Sequence, residues 1–212
     1  MCSGRVDLEF ILRAFSNGQD GVFIGGCRLN ECNYITQGNY DALGNTLLSK
    51  KIMEHIGLNP ERLRIEFMSS SDGVFLAETM NDFSKKIKEL GPLGKGEGLD
   101  EKGLKFKLDA VRKLIPYIRL VERERLRVPL KSEEAYNKFF ASDEINRIFK
   151  DLVLDKVAIS QIMSLLREKP LSTGEMSEIL GLTPSEITRH VNSSSKQGLI
   201  SYDENRKCFT LA

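Results

Sequence analysis

Several absences narrow the function of this 212-residue chain before any motif is read. No apolar run approaches the roughly 18–20 residues needed to cross a bilayer. The N-terminus, Met-Cys-Ser-Gly-Arg-Val-Asp, has no apolar signal-peptide core. The expectation is a cytoplasmic protein with no membrane insertion. Net charge is missing too: 31 Lys and Arg stand against 30 Asp and Glu, so nothing pulls the chain as a whole toward nucleic acid or anionic lipid. There is no internal repeat, no low-complexity tract, no phosphate-cradling loop and no nucleophile–base pair, so independent catalysis is not expected. Histidine is scarce. Neither His55, late in a helix, nor His190, near the C-terminus, has a sequence reason to join a metal site.

Against this background the four cysteines stand out, because Cys2, Cys27 and Cys32 fall within the first 32 residues. A reducing compartment disfavours structural disulfides, and clustered thiols there point to a metal or redox site. Cys208, in Lys-Cys-Phe-Thr-Leu, reads as a small residue of a strand.

The patterning divides the chain at about 1–91, 92–154 and 155–212. In the first part Val6, Phe10, Ile11, Ala14 and Phe15 recur at helical spacing, with Gly18 placed to end the helix. Gly21-Val-Phe-Ile-Gly-Gly26 reads as a buried strand. A helix over 40–56 follows, with Leu43, Leu47, Leu48 and Ile52 on one face, and then an alternating strand over 63–68. Ser71 or Asp72 can cap a third helix carrying Phe75, Met80, Phe83 and Ile87, which should stop at Gly91-Pro92. This order implies an α/β layer with a parallel sheet. The sheet is thin, and the chain enters a helix directly after Cys2, as though a preceding strand were absent; the N-terminal domain reads as incomplete.

The middle part opens with Leu93-Gly-Lys-Gly-Glu-Gly-Leu-Asp100, a linker or flexible corner. A basic helical stretch over 102–127 follows, interrupted at Pro116. Its charge reads first as a solvated face and second as a dock for an acidic partner. A helix is expected over 133–153. From Lys156 onward, helix, helix, a tight turn at Gly181-Leu-Thr-Pro184, helix and two short strands give the layout of a winged helix-turn-helix. The fold class is therefore α/β, with a helical middle segment and a C-terminal winged helix.

Cys27 lies just beyond the first strand, and four residues separate it from Cys32. In open α/β sheets ligands gather outside the carboxyl ends of the strands, so this loop can aim two thiolates at one centre. Gly25 and Gly26 allow close backbone approach. Clusters and structural zinc both usually take four ligands, and three are in place here. On spacing alone, metal binding and metal-free thiols remain equal readings.

Cys2-Ser-Gly-Arg-Val-Asp7, then Gly25-Gly-Cys-x4-Cys-Asn-Tyr34 and Gly38-Asn-Tyr40, resemble the delta subunit of methyl-viologen-reducing hydrogenases. Pro60-Glu-Arg-Leu-Arg64, followed by a strand and a serine-rich loop, fits the same family over residues 2–91. The resemblance implies a 2Fe-2S cluster ligated by Cys2, Cys27 and Cys32, with Gly25, Gly26, Asn33 and Tyr34 beside the sulfurs. It also implies an electron-transfer role toward a flavin-containing subunit like that of heterodisulfide reductase A and other iron–sulfur subunits. Related modules serve other flavin-based bifurcating assemblies, including class II benzoyl-CoA reductase. The family usually begins earlier, with a further cysteine pair and a strand, and often carries Cys-His-Pro-Gly-Asp-Cys where this chain has Arg28-Leu-Asn-Glu31 between its cysteines. Met1 is accordingly expected to be an internal start, produced by an upstream selenocysteine codon read as a stop or by a split subunit.

The alternative function is a redox-responsive winged-helix transcriptional regulator, in which Arg189, Asn192 and Lys196 of the recognition helix would meet DNA. Residues 155–212 carry seven basic and seven acidic side chains, and Asp203 and Glu204 sit in the wing. Nucleic acid is thus the less favoured partner. Zinc in place of iron is the remaining option for the cysteines.

Overall fold

The computed structural model describes residues 2–34 and 38–212; the expectation about Met1 lies outside the described residues. The chain divides into two compact units, Met1–Arg147 and Ile148–Ala212.

In the first unit, Cys2 caps a 3-10 turn over Ser3–Arg5. Asp7 then caps α1 (Leu8–Ser16), accepting from the Glu9 and Phe10 amides. The buried face of α1 is Leu8, Ile11, Leu12 and Phe15. Phe10, expected inside, is 49% exposed and lies beneath the Arg13 guanidinium. β1 (Val22–Gly26) leads through α2 (Asn39–His55) to β2 (Leu63–Phe67). The strands are parallel, in register from Val22 opposite Leu63 to Gly26 opposite Phe67. α2 packs against α1, β2 and a later helix, so it is buried on more than the one face its pattern suggests.

α3 (Gly73–Leu90) rests on the sheet through Phe83, whose ring is 5.7 Å from that of Phe23. A methyl at Gly21 would come within 2.6 Å of Ile87, so glycine there lets helix and strand meet. Of the four residues expected to form its inner face, only Phe83 is fully buried; Phe75 and Met80 are exposed. The reason is length: a helix of 18 residues runs about 27 Å, whereas a strand of five spans about 17 Å.

The three-glycine segment after α3 is a hydrogen-bonded corner organised around Arg62, which is fully buried at the foot of β2. Its guanidinium donates to the carbonyls of Asp20, Leu90, Gly91 and Pro92 and pairs with Glu97 at 2.5 Å. Glu97 also accepts from the Gly94 and Asn59 amides. Gly96 has no room for a Cβ, which would overlap the Leu90 carbonyl.

Beyond the corner, α4 (Glu101–Arg112) packs on α1, and α5 (Ile115–Arg125) restarts the helix with Pro116 in its first turn, where a missing N–H costs nothing. Part of the basic character is used internally. Lys107 donates to the Ile56 carbonyl, and Arg119 pairs with Asp7 and Glu9 at the start of α1. The helix expected over 133–153 is broken at Ser142, separating α6 (Glu133–Ala141) from α7 (Asp143–Phe149). The Ser142 hydroxyl bonds the Phe139 carbonyl and the Ile145 amide, closing one helix and opening the next. The second unit includes a π-helical stretch, Lys150–Leu154, that leads into α8 (Asp155–Glu168). The extra residue of the π turn shifts the apolar phase without ending the helix.

The second unit adds α9 (Thr173–Leu180), α10 (Pro184–Lys196) and an antiparallel hairpin, β3 (Ile200–Asp203) with β4 (Cys208–Leu211). Leu171 exchanges two backbone hydrogen bonds with Phe209, adding a rung to the hairpin. Reciprocal capping boxes, Ser172 with Glu175 and Thr183 with Glu186, open α9 and α10. Gly181, at a φ of 69°, makes the left-handed turn between them. The arrangement is consistent with a winged helix-turn-helix, and Cys208 is buried on its strand. Among the described residues no helix is long and apolar enough to cross a membrane.

Replacing Arg62 by methionine should strip Glu97 of its counter-charge and leave four carbonyls short of a donor. A loss of about 3–5 kcal/mol in urea unfolding is expected, against a smaller loss for Glu97→Gln. In the second unit, buried His190 lies 3.8 Å from Asp155, and burial holds its pKa below the usual histidine value despite that carboxylate. A folded-state pKa below the unfolded one makes protonation favour unfolding. Stability should be complete above the ordinary histidine pKa and fall as pH drops through it. Thermal melts between about pH 7.5 and pH 5 should show this decline, and His190→Gln should flatten the histidine share of it.

Candidate metal centre

Three thiols meet at the carboxyl end of the parallel strands. Cys27 follows β1 directly, Cys32 closes the loop leading to α2, and Cys2 comes in from the N-terminal 3-10 turn. Cys2 Sγ and Cys32 Sγ are 3.8 Å apart, and Cys2 Sγ accepts from the Gly4 amide. Cys27, five residues before Cys32, lines the same groove as Cys2. Cys32 is thus in direct contact with Cys2, and Cys27 stands at the other end of the same loop. Cys32 is buried, Cys2 is half-buried and Cys27 is exposed.

The loop between Cys27 and Cys32 is held on several sides. Arg28 forms a forked ion pair with Asp72, with contacts of 2.7–3.1 Å, tying the loop to the serine-rich turn after β2. Asp72 accepts the Ser69 amide as well, and these donors hold its carboxyl below the usual range. The Asn39 amide nitrogen donates to the carbonyls of Cys27 and Arg28, each at 2.8 Å. The Tyr40 hydroxyl reaches Asn30, which sits in the left-handed region at a φ of 69°.

Electrostatics separates the sulfurs. The backbone amides of Tyr34 and Asn39 aim at Cys32 and, with the neighbouring thiols, draw its pKa below the ordinary thiol value despite burial. Partial burial of its sulfur and proximity to Cys32 push Cys27 up, although its side chain as a whole is exposed. Fixed N–H donors that favour sulfur-centred negative charge suit a thiolate ligand.

Of the residues expected beside the sulfurs, Gly26 is tightly enclosed: a Cβ there would lie 3.0–3.2 Å from the Phe67 ring and Ser3 Oγ. A Cβ at Gly25 would meet only the Phe23 ring, at an ordinary 3.9 Å. The side chains of Asn33 and Tyr34 face solvent, so Tyr34 acts through its backbone amide alone. Residue-type reasoning overlooked the roles of Asn39 and Gly38, although both lie in the Gly-Asn-Tyr motif. A methyl at Gly38 would overlap Cys32 Sγ and the Tyr34 carbonyl.

A groove of about 480 Å³ adjoins the thiols, lined by Cys2, Cys27, Gly25, Gly26, Ser69 and Leu76 among others. Ser3 Oγ, buried nearby, has no hydrogen-bond partner among the described residues. A larger groove of about 880 Å³, between α2, α5 and α6, contains no cysteine. Among the described residues no group of three or more His, Cys, Asp or Glu side chains is disposed to hold a metal ion as it stands. In kind, however, the donor set suits a thiolate-ligated group: the three side chains at this end of the sheet are cysteines, one of them buried and favoured as thiolate by N–H donors.

A cysteine loop at the carboxyl end of two parallel strands, with a third cysteine beside it, defines an α/β module with a thiol-lined sheet end. Residues 1–91 match the family described as methyl-viologen-reducing hydrogenase, delta subunit, and over that region the chain belongs to this family. It is 48% identical over 91 residues to the D-type iron-sulfur subunit of the F420-non-reducing hydrogenase of Archaeoglobus profundus, a match covering 43% of this chain and 66% of that protein. Against the corresponding vhu iron-sulfur subunit of Methanopyrus kandleri the identity is 38%, over 43% of this chain and 69% of the relative. The A-type subunit of the ferredoxin:CoB-CoM heterodisulfide reductase of Methanosarcina mazei is 44% identical over 94 residues, 44% of this chain but only 12% of that protein. The chain therefore spans about two thirds of the length of these hydrogenase relatives. Residues 160–202 separately match the bacterial regulatory protein, arsR family.

Among the three recognition-helix residues of the second unit, Arg189 is engaged by Asp155 at 2.9 Å, whereas Asn192 and Lys196 are exposed. In the wing, Arg206 lies 3.8 Å from Asp203.

Gly38→Ala should displace Cys32 from its amide donors. The rate of Cys32 alkylation by a maleimide, read by peptide mass, should rise about tenfold or more, with roughly 1–3 kcal/mol lost in stability from overpacking.

Proposed function

We propose that this chain is a cytoplasmic electron-transfer subunit of a larger oxidoreductase complex, in which Cys2, Cys27 and Cys32 hold a 2Fe-2S cluster. The observation that carries this reading is the contact of Cys2 with buried Cys32, with Cys27 beside Cys2 on the same groove, within a domain of the hydrogenase delta-subunit family. A bound cluster would supply reversible one-electron transfer. The fourth ligand would come from outside these three thiols, from upstream residues or a partner chain.

The chain's own residues would set the conditions of that transfer. The Tyr34 and Asn39 amides would stabilise negative charge on Cys32 and so favour the oxidised form less than a bare thiolate would. The Arg28–Asp72 fork and the Asn39 bonds would keep the loop from changing shape between redox states. Exposed Cys27 would mark the side facing the partner. That partner is proposed to be a flavin-containing protein like the A-type component of heterodisulfide reductase, which is among the relatives and itself carries this module.

A second reading, favoured by the arsR-family match, is a redox-responsive regulator whose second unit binds DNA. The engagement of Arg189 by Asp155 and the balanced charge of residues 155–212 favour a protein-facing role for that unit instead.

Anaerobic reconstitution with iron and sulfide, with a small thiol added to serve as fourth ligand, should load about two irons and two sulfides per chain. Cys2→Ser, Cys27→Ser and Cys32→Ser should each lower retained iron about tenfold or more, whereas Cys208→Ser should leave it unchanged. Zinc alone in the natively purified chain, or iron retention indifferent to the three substitutions, would sink the cluster reading. Salt-sensitive, sequence-selective duplex binding by the full chain would move the assignment to the regulator.

A further inference from the structure

Ser3 follows Cys2 directly and lines the same groove as Cys2 and Cys27. Its hydroxyl oxygen is buried and has no hydrogen-bond partner among the described residues. A buried hydroxyl without a partner costs stability, so its presence here points to an acceptor from outside the fold. The nearby backbone is already engaged: the carbonyls of Cys2, Ser3 and Gly26 accept the amides of Arg5, Val6 and Met68.

The place of the hydroxyl is nevertheless well defined. The 3-10 turn over Ser3–Arg5 is capped by the Cys2 thiol, which accepts the Gly4 amide. Gly26 makes room for the oxygen, since a Cβ there would stand 3.2 Å from Ser3 Oγ. Serine has one rotatable bond between backbone and hydroxyl, so Oγ can turn from Gly26 toward the groove without backbone movement.

We propose that the Ser3 hydroxyl sets the potential of the centre, donating a hydrogen bond to a sulfur of the cluster assigned above to Cys2, Cys27 and Cys32. The inference rests on that cluster reading and gives a role to a residue outside the ligand set. One electron entering such a cluster adds negative charge to its sulfurs, and a donor beside them favours the reduced form. Ser3 therefore raises the reduction potential. The hydroxyl keeps its proton in both redox states. In the metal-free chain its desolvation is uncompensated. Two consequences separate this role from packing: removing the oxygen lowers the potential of the loaded chain, and it does not weaken the metal-free one.

The test loads the full chain anaerobically with iron, sulfide and a small thiol, as wild type, Ser3→Ala and Ser3→Thr. A redox titration followed by the paramagnetic resonance of the reduced cluster gives each midpoint potential. Ser3→Ala should shift the equilibrium about tenfold toward the oxidised form, about 59 mV lower for a one-electron couple, at unchanged iron content. Ser3→Thr keeps the hydroxyl and should stay at the wild-type potential. Pulsed resonance before and after exchange into deuterium oxide should find one coupled exchangeable proton fewer in Ser3→Ala. In urea, metal-free Ser3→Ala should unfold at a midpoint no lower than wild type.

An unchanged potential in Ser3→Ala would overturn the proposal, as would equal shifts in Ser3→Ala and Ser3→Thr, which trace the effect to packing. Iron lost from Ser3→Ala would also overturn it, by making Ser3 a ligand. A lower urea midpoint for metal-free Ser3→Ala would do the same, by returning the hydroxyl to the fold. A wild-type chain that takes up no cluster is recognised earlier, at the iron analysis, and removes the cluster reading together with this one.

Discussion

The buried guanidinium of Arg62 constrains the rest of the first unit. It gathers four backbone carbonyls from two separated stretches of chain, together with Glu97, at the end of the sheet opposite the cysteines. The carbonyl of Asp20 lies just before β1, and those of Leu90, Gly91 and Pro92 lie where α3 ends. One side chain thereby fixes where the strands begin and where the helix behind them stops. Desolvating such a cation is expensive unless every donor is used, and Arg62 divides its donors between four backbone carbonyls and both carboxylate oxygens of Glu97. The sheet has two strands among the described residues and little width of its own. A point where the two ends of its connections are tied supplies what inter-strand pairing alone does not.

The thiol end depends on a different kind of tie. Arg28 and Asp72 are partly exposed, so their ion pair contributes little stability on its own. Its value is positional: the fork joins the loop after β1 to the turn after β2, and the cysteines hang from the first of these. Asn39 works in the same sense from inside, holding two consecutive carbonyls of the loop with one amide group. The buried pair thus sets the frame and the exposed pair aligns the loop.

This division explains which features were legible in the sequence. Glycine stops at Gly18, Gly57 and Gly181 all fall at positive φ, and the caps at Asp7 and Thr183 form as their residue types suggest. Local chemistry governs such positions. The parallel pairing followed from strand order, and the position of Cys27 just beyond β1 from loop placement. Arg62 was hidden because an arginine beside a strand resembles a surface charge until its partners, 28 to 42 residues away, are known. The same holds for the corner at residues 93–100, whose glycines suggest looseness but allow Gly96 to fit beneath the Leu90 carbonyl. Phe10 and the first half of α3 misled in the opposite direction. Helical spacing predicts a face, and the width of the surface opposite decides how much of that face is covered.

Cys32 shows how the site departs from a bare spacing pattern. A Cys-x4-Cys loop treats its two cysteines as equivalent, and the fold does not. Cys32 receives the amides of Tyr34 and Asn39, the contact of Cys2 and the wall of Gly38, while burial and neighbouring thiols disfavour charge on Cys27. Two thiols that differ in burial and in hydrogen-bond donors differ in nucleophilicity, in ease of oxidation and in affinity for a metal. Any group bound here would therefore be held asymmetrically, anchored from within by Cys32 and open to solvent at Cys27. For an electron carrier that asymmetry is useful, because the exposed ligand shortens the path to a partner while the buried one keeps water from the other side.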